Sequence, residues 1–342
     1  MRPSNVPFRA KLEGDKAMPG RVKLCLALLT VLLLFSKASE VAAQSYPTRP
    51  IRLVVPFGAG GPGDIYARLI AHHLSDAVKQ PVVVEPRPGA GAVIGSEAVA
   101  KSAPDGYTLL LVSNAHTSNE TLVPNKSFNL MRDFVAIAGI NYADVVMVVH
   151  PSLPATNLQE FVGVAKALPG EINYASSGPG TVYHMAGELL KTITDIDIVH
   201  VPHKASGDMR NNLVGGHVQM MFDAISTVTP LLQAGQARAI GTTGSRRTSA
   251  LPDVPTLAES GAPGYETSIW FGLMGPAGMR QEIVERLNTE MRRVLNHPEV
   301  KSAWEKQGVT LMDPSQTEFE KFLRQDIEKW ADVVKRTGFK LN

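Results

Sequence analysis

Residues 51–64 read IRLVVPFGAGGPGD, a short apolar run followed directly by a glycine-rich loop. The first five residues predict a buried strand, because the run is brief, largely β-branched and bounded by turn residues. Apolar residues then recur at helical spacing: Ile65, Leu69, Ile70, Leu74 and Val78. The stretch therefore predicts a strand, a tight turn and an amphipathic helix, which is the repeating unit of α/β folds.

The same alternation continues along the chain. Further short β-branched runs predict strands at residues 82–84, 108–112, 145–149, 172–175, 198–201, 218–222 and 238–242. Between two of them, Thr156-x-x-Gln159 has the form of a capping box, and it predicts a helix that ends at Pro169-Gly170. Apolar spacing also predicts two long amphipathic helices near the C-terminus, one over residues 283–295 and one over residues 319–334. The whole pattern predicts an α/β fold with largely parallel sheets.

Residues 1–43 have the features of a signal peptide. Arg21 and Lys23 precede an apolar run at residues 24–35, which is well short of the about 20 apolar residues that a membrane span needs. Small residues at 41–43 offer a cleavage site, and Met18 is an alternative start of the chain. We therefore expect export from the cytoplasm.

The composition of the 342 residues excludes several classes of protein. A single cysteine excludes a disulfide framework, a four-cysteine zinc site and a CxxC redox centre. The 34 Lys and Arg form no basic run, so no nucleic-acid partner is predicted. Residues 1–43 hold seven of these basic residues and three of the 32 acidic ones, so the exported chain would carry a net charge of −2. Such a chain must attract an anion locally, since its overall charge repels one.

Gly58, Gly60 and Gly63 form a GxGxxG pattern between the first strand and the first helix. In dinucleotide-binding folds such a pattern holds a pyrophosphate, and Glu85 stands about where the ribose-binding acid belongs. Two observations disfavour this interpretation: Pro62 lies among the turn residues, and an exported protein meets no nicotinamide pool. A dinucleotide-dependent oxidoreductase is therefore the weaker alternative, and no cofactor is predicted.

Two more glycine loops, at residues 88–92 and 175–181, also stand between an apolar strand pattern and a helical pattern. Glycines allow a sharp turn and a close approach to a ligand, and the N-terminus of a helix favours an anion. One such loop alone is explained as a tight turn. Three together favour a carboxylate site built from main-chain N–H groups.

The glycine loops belong to a longer series of motifs. Residues 46–57 read YPTRPIRLVVPF, and Gly60, Gly61 and Asp64 follow. Next come PGAG at 88–91, PDGYTLL at 104–110, ASSG at 175–178, HMAGEL at 184–189 and HVP at 200–202. The series ends with GG at 215–216, MFD at 221–223, LPDVPT at 251–256, ESG at 259–261 and GPAG at 275–278. In this order, over essentially the whole chain after the leader, it resembles the substrate-binding receptors of tripartite tricarboxylate transporters, the Bug or TctC type.

The resemblance implies a fold and a role. The fold is that of type II periplasmic binding proteins, in which two α/β lobes enclose a ligand cleft. Lobe 1 would comprise residues 45–147 and 270–342, and lobe 2 residues 148–269, so that the chain crosses twice between them. Such a receptor is a periplasmic monomer that passes a small carboxylate to membrane permease subunits, and sensing is the alternative to transport.

The resemblance also implies which residues bind the ligand. In this family, loops of both lobes hold one carboxylate through main-chain N–H groups and water. The corresponding residues are Gly58, Ala59, Gly60, Gly61, Asn114, Ala115, Ser176, Ser177, Gly178, Gly180, Thr181 and Asp223. The chain departs from the family pattern at Gly63, where a hydroxyl residue is common, at Pro86, where Asn is common, and at His203, where Tyr is common.

Some of these residues allow other interpretations. Asp223 fits either contact with a ligand amine or a cap for the helix that follows it. Ser176 and Ser177, together with His184 and Asp223, could also serve an exported serine-type hydrolase, which is the enzyme alternative. The chain has no GxSxG elbow and no HExxH motif, so we predict a binding protein and not an enzyme. No metal is predicted at the HxxH of residues 200–203, because residues three apart on a strand face opposite sides.

Overall fold

The computed structural model describes residues 46–312 and 315–337, so the predicted signal peptide at residues 1–43 lies outside the described part. The strands are β1 Ile51–Val55, β2 Val82–Pro86, β3 Thr108–Ser113, β4 Phe134–Val149, β5 Asn173–Ser176, β6 Val199–Pro202, β7 Met220–Ala224, β8 Arg238–Thr242, β9 Ser268–Pro276 and β10 Val309–Leu311.

The helices alternate with these strands. They are α1 Pro62–Val78, α2 Val93–Ala100, α3 Asn114–Leu122, α4 Leu130–Asp133, α5 Leu158–Ala167, α6 Val182–Thr194, α7 Ser206–Val214, α8 Ile225–Gln233, α9 Gln281–Leu295, α10 Pro298–Glu305 and α11 Gln316–Thr337. A short 3₁₀ turn, Ala90–Ala92, precedes α2. None of the helices in the described ranges is long and apolar enough to cross a membrane.

The strands form one sheet in the order β2-β1-β3-β9-β4-β7-β5-β6, and β8 and β10 also pair with β4. Strand β1 is parallel to β2 and β3, and β5 is parallel to β6 and β7. All partners of β4 are antiparallel to it, and β9 is antiparallel to β3 as well. The prediction of largely parallel sheets was therefore wrong. The sheet is mixed, because β4 runs against all its partners and β9 runs against β3 as well. Pattern had missed β9, β10 and the first part of β4.

Strand β4 belongs to two groups of partners. Its residues 134–144 pair with β9, and with β10 near the end of that stretch, whereas Val145–Val149 pair with β7 and β8. We call β1, β2, β3, β9 and β10 with residues 134–144 the first half-sheet, and β5 to β8 with residues 145–149 the second half-sheet. The expected lobe boundaries at 147/148 and 269/270 lie inside β4 and β9, and the division into lobes stays a prediction.

The C-terminal helices follow their predicted apolar faces closely. Along α9, Ile283, Leu287 and Met291 are buried, and on α11 Phe319 and Leu323 enter a core cluster beside Trp270. This cluster packs against the first half-sheet, so the end of the chain completes the part of the molecule that begins with β1.

The predicted capping box at Thr156 lies one residue too early. Asn157 is the N-cap of α5, and its side chain accepts a hydrogen bond from the Glu160 main-chain N–H at 2.9 Å. The Glu160 carboxylate in turn accepts from the main-chain N–H of Thr156 at 2.7 Å. Thr156 and Asn157 can each cap a helix. The structure uses Asn157 as the cap, with Glu160 in place of Gln159.

Candidate ligand-binding site

A cavity of about 220 Å³ lies where three glycine loops meet. We call residues 58–63 the first loop, 88–92 the second loop and 175–181 the third loop. Each contributes to the lining, for example with Gly58, Gly91 and Gly178. The other walls include Phe57, Ser113, Ala115, Tyr183, Pro202, His203, Lys204, Ser206, Ile269 and Phe271.

Four helices begin at this cavity without a side-chain cap. The N-cap residues of α1, α2, α6 and α7 are Gly61, Ala92, Thr181 and Ala205, and none of these side chains bonds to its own helix. The first three line the cavity, as does Ser206 at the start of α7. The first N–H groups of a helix lack partners inside the helix and carry its positive end, so this arrangement favours an anion.

Helices elsewhere in the described chain are of two kinds: α8, α9 and α10 also begin without a side-chain cap, at Ala224, Arg280 and His297, whereas others have one. Asn129 and Asn157 accept hydrogen bonds from the first turns of α4 and α5. Ser113 caps α3 at the edge of the cavity, with its Oγ 3.3 Å from the Ala115 nitrogen. Uncapped starts are therefore not confined to the loops, and at α2 the preceding 3₁₀ turn already accepts the Val93 N–H at the Ala90 carbonyl oxygen. What distinguishes the starts of α1, α2, α6 and α7 is that they meet at one cavity.

The ionisable side chains of the cavity wall are cationic or neutral. His203, Lys204 and Tyr183 line it, and the described lining residues include no Asp or Glu. Lys204 is exposed and His203 is half-buried, with His203 Nδ1 3.0 Å from the Val201 carbonyl oxygen. These groups strengthen the preference for a negatively charged ligand.

The first loop lies against the start of α7 too closely for larger residues. A Cβ atom on Gly58 would stand 2.5 Å from the Ala205 Cβ, and one on Gly61 would stand 3.1 Å from the Ser206 Oγ. Gly60 has a φ of +73°, in the left-handed region that favours glycine. Glycine at Gly58 therefore permits the contact that brings the starts of α1 and α7 together.

Arg210 connects the first loop with Asp223. Its Nη2 donates to the Gly60 carbonyl oxygen at 2.8 Å, and its Nη1 donates to Asp223 Oδ2 at 3.1 Å. Asp223 is fully buried and also accepts from the Ala224 main-chain N–H and from Thr227 Oγ1, both at 2.9 Å. Burial raises the pKa of Asp223, while the Arg210 guanidinium opposes that rise. Asp223 therefore already has a cationic partner inside the protein.

The structure places six of the twelve predicted binding residues on the cavity wall. These are Gly58, Gly61, Ala115, Ser177, Gly178 and Thr181. The lining does not include Ala59, Gly60, Asn114, Ser176, Gly180 or Asp223. Within this second group, Asn114 bonds through its amide to the Ser268 carbonyl oxygen and the Trp270 N–H, both at 3.0 Å, so it joins α3 to β9. All twelve remain predictions as ligand contacts.

A cluster of neutral polar side chains supports the third loop. Ser176 Oγ accepts from the Gly178 main-chain N–H at 3.1 Å and lies 2.6 Å from His200 Nε2. His184 Nδ1 accepts from the Gly180 N–H at 3.1 Å, and its ring stacks on that of His200 with the centroids 3.9 Å apart. Burial lowers the pKa of His184 to about 3 and that of His200 to about 4, so both rings are neutral at pH 7.

This cluster bears on the hydrolase alternative. Ser176 pairs with His200 and not with His184, and its hydroxyl is fully buried beneath the loop. Asp223 bonds to Arg210 and Thr227, so the expected serine, histidine and acid form no connected series among the described contacts. Ser176 and His200 are within the distance of a nucleophile and its base, but the serine is fully buried. No acid joins these two side chains among the described contacts, so the arrangement supports the loop.

Sequence reasoning missed much of the far wall. Phe57 and Phe271 lie 6.2 Å apart between ring centroids, and Ile269 stands beside Phe271 on β9. Strand β9 was not predicted, so Ile269 and Phe271 could not be placed. Lys204 was missed as well, although its neighbour His203 departs from the family pattern, and that departure was the available signal.

Comparisons with known proteins agree with this geometry. The sequence profile described as "Tripartite tricarboxylate transporter family receptor" matches residues 66–339. The chain belongs to this receptor family. The receptor is 37% identical over 306 residues to Protein BugT of Bordetella pertussis, covering 89% of this chain and 94% of BugT.

Solved structures are also similar to the receptor. An R. palustris protein solved with adipate is 34% identical with a TM-score of 0.83, and the match covers 86% of this chain and 98% of that one. MatC from Rhodopseudomonas palustris, solved with bound malate, is 31% identical with a TM-score of 0.81, covering 84% and 100%. The resemblance stated from sequence motifs and the periplasmic-binding-protein fold are thereby confirmed, and the comparisons give no support to the hydrolase or oxidoreductase alternatives.

Proposed function

We propose that this receptor binds a small organic acid in the periplasm and delivers it to the permease subunits of a tripartite tricarboxylate transporter. The observation that carries the proposal is the meeting of four uncapped helix N-termini at one cavity. Their N–H groups suit one carboxylate. Hydrogen bonds to that carboxylate are stronger in the low dielectric of a closed cavity than in water. The bound adipate and malate of the two similar structures support the same ligand class.

The cavity also indicates how a second charged group would be held. Lys204 and His203 stand on a wall that otherwise includes apolar side chains such as Phe57, Ile269 and Phe271. A dicarboxylate could place one end at the helix N-termini and the other near Lys204. We therefore expect dicarboxylates to bind more tightly than monocarboxylates of the same length.

Capture would involve movement of two lobes, residues 45–147 with 270–342 and residues 148–269. The bond from Arg210 to Gly60 and the 3.0 Å contact between the Tyr66 and Ser226 hydroxyls join these two parts beside the cavity. Closure would bury the ligand, and the closed monomer would dock on the permease. Cleavage near residue 43 after export would release the mature receptor, which N-terminal sequencing of the secreted protein tests.

Isothermal titration of the purified receptor with adipate and malate tests the proposal. The matched controls are 1,6-hexanediol and 1,6-diaminohexane, which keep the chain length of adipate and remove or reverse its charge. We expect heat from at least one acid and none from the controls. Binding of NAD in place of acids would contradict the proposal, as would hydrolysis of an ester panel that disappears in Ser176→Ala and Ser177→Ala variants.

A further inference from the structure

A second group of ligating side chains lies away from the cavity. His73 on α1, His297 between α9 and α10, and Glu299 in the first turn of α10 each offer one atom, and the three atoms lie within 4.8 Å of one another. These residues come from segments more than 200 positions apart. The packing of α1 against α9 brings the segments together, so the group is a product of the fold.

The distances suit a single metal ion. Zinc binds histidine nitrogen and carboxylate oxygen at about 2.1 Å, so two ligands of a tetrahedral site stand about 3.4 Å apart. His73 Nε2 and Glu299 Oε2 are 3.6 Å apart, and the centroids of the His73 and His297 rings are 4.4 Å apart. Small rotations of the two exposed side chains would bring all three atoms to the distances of a metal site.

One ligand is fixed and two are adjustable. The His73 side chain is only 8% exposed, so packing fixes its ring, whereas the Glu299 side chain is 74% exposed and free to turn. His297 is also exposed.

We infer that His73, His297 and Glu299 form a binding site for a divalent transition metal, with zinc as the expected ion. Two imidazoles and one carboxylate suit zinc and its neighbours in the first transition series, whereas calcium and magnesium prefer oxygen ligands. Asp76, one turn along α1, also acts electrostatically on His73. The ion would fix the middle of α1 to the link between α9 and α10.

Isothermal titration calorimetry of the tag-free receptor with zinc chloride alone, at neutral pH, tests the inference. We expect one zinc ion per chain, and a rise in melting temperature because the ion binds only the folded protein. His297→Ala should weaken zinc binding by about 100-fold and Glu299→Gln by about tenfold, while the exposed His217 serves as the control in His217→Ala.

Each outcome decides the inference. Loss of zinc in His297→Ala with retention in His217→Ala supports it, and the far-ultraviolet circular dichroism of both variants should match the parent. His297 is exposed, so its substitution is not expected to prevent folding. Absence of zinc binding, or equal affinity in His297→Ala and the parent, overturns the inference. Acid binding at the cavity is measured in the same variants and should be unchanged, so the site is tested independently of the proposed function.

Discussion

The first loop and the third loop have the same form and are held by different chemistry. Each follows a parallel strand, contains a glycine in the left-handed region (φ +73° at Gly60, +75° at Gly180) and opens a helix without a side-chain cap. Charged groups hold the first loop. The Gly60 N–H donates to the Asp64 carboxylate at 3.1 Å, and the Gly60 carbonyl oxygen accepts from Arg210 at 2.8 Å.

Neutral groups hold the third loop. The Gly178 N–H donates to Ser176 Oγ, the Thr181 hydroxyl donates to the Gly178 carbonyl oxygen, and the Gly180 N–H donates to the unprotonated His184 Nδ1. Similar glycine turns can therefore be stabilised either by charge or by neutral hydrogen bonds. The first loop should depend on its ion pair, and the third loop on the protonation state of its histidines.

We expect the largest effect from Arg210→Ala, which removes the cation beside Asp223 and the donor to Gly60. Asp223 is fully buried, so an unpaired carboxylate there should cost about 3 kcal/mol of unfolding free energy, measured by urea denaturation. The double variant Arg210→Ala/Asp223→Asn removes that charge and should recover much of the loss. If Arg210→Ala lowered the unfolding free energy by less than about 1 kcal/mol, the ionic account of the first loop would be wrong.

Lowering the pH should weaken the third loop. The pKa of His184 is lowered by burial to about 3, against about 6.5 in an unfolded chain, so the unfolded state binds more protons between these values. Stability should therefore fall as the pH decreases from 7 to 5, by about 2 kcal/mol from His184. Urea denaturation at both pH values should show a smaller pH effect in His184→Gln. An equal pH effect in the variant and the parent would assign the proton uptake to other groups.

Gly58→Ala should act on ligand affinity. The added methyl group would meet Ala205 at 2.5 Å and push the first loop away from α7, so acid affinity should fall about tenfold, or about 1.4 kcal/mol. Gly163→Ala is the matched control, because nothing lies within 4 Å of its added Cβ in the middle of α5. It should keep full affinity and gain about 0.5–1 kcal/mol of stability. Equal acid affinities of the two variants would show that the first loop takes no part in ligand binding.

The smallest effect should come from Ser176→Ala, which removes the hydroxyl that accepts from Gly178 N–H. The loss of this neutral hydrogen bond should lower the unfolding free energy by about 1 kcal/mol. Ser177→Ala, at the adjacent half-buried position, should change it by less than about 0.5 kcal/mol. A larger loss in Ser177→Ala than in Ser176→Ala would contradict the role given to the buried hydroxyl.

The sequence was sufficient where local pattern decides structure. β-branched runs located β1, β3 and β8 to within a residue, and apolar spacing located α9 and α11, because burial of one face sets these patterns directly. Strand β9 was missed, since Gly272, Gly275 and large side chains interrupt any β-branched run. Its strand geometry depends on pairing with β3 and β4, which lie far away in the chain.

The cavity was predictable only in part. Glycine loops are local signals, so half of the cavity residues derived from the family motifs were found on its wall. Lys204 and Phe271 reach the cavity only through the packing of distant segments, which one sequence does not reveal. Asp223 was predicted as a ligand contact because it stands in a motif. Its partner Arg210 stands in no motif, so the ion pair between them could not be predicted.

Strand β4 has a mechanical consequence for the receptor. It runs without interruption from the first half-sheet into the second, and it has an extra residue at Ile137 and at Ile140, where its pairing with β9 shifts register. A shift of register is a point where a strand bends and twists more readily. Rotation of one half-sheet against the other would therefore twist a continuous ribbon while its hydrogen bonds stay intact. Resistance to twisting would rise with the angle of rotation between the half-sheets. Opening of the cavity should therefore be rapid, reversible and limited in range.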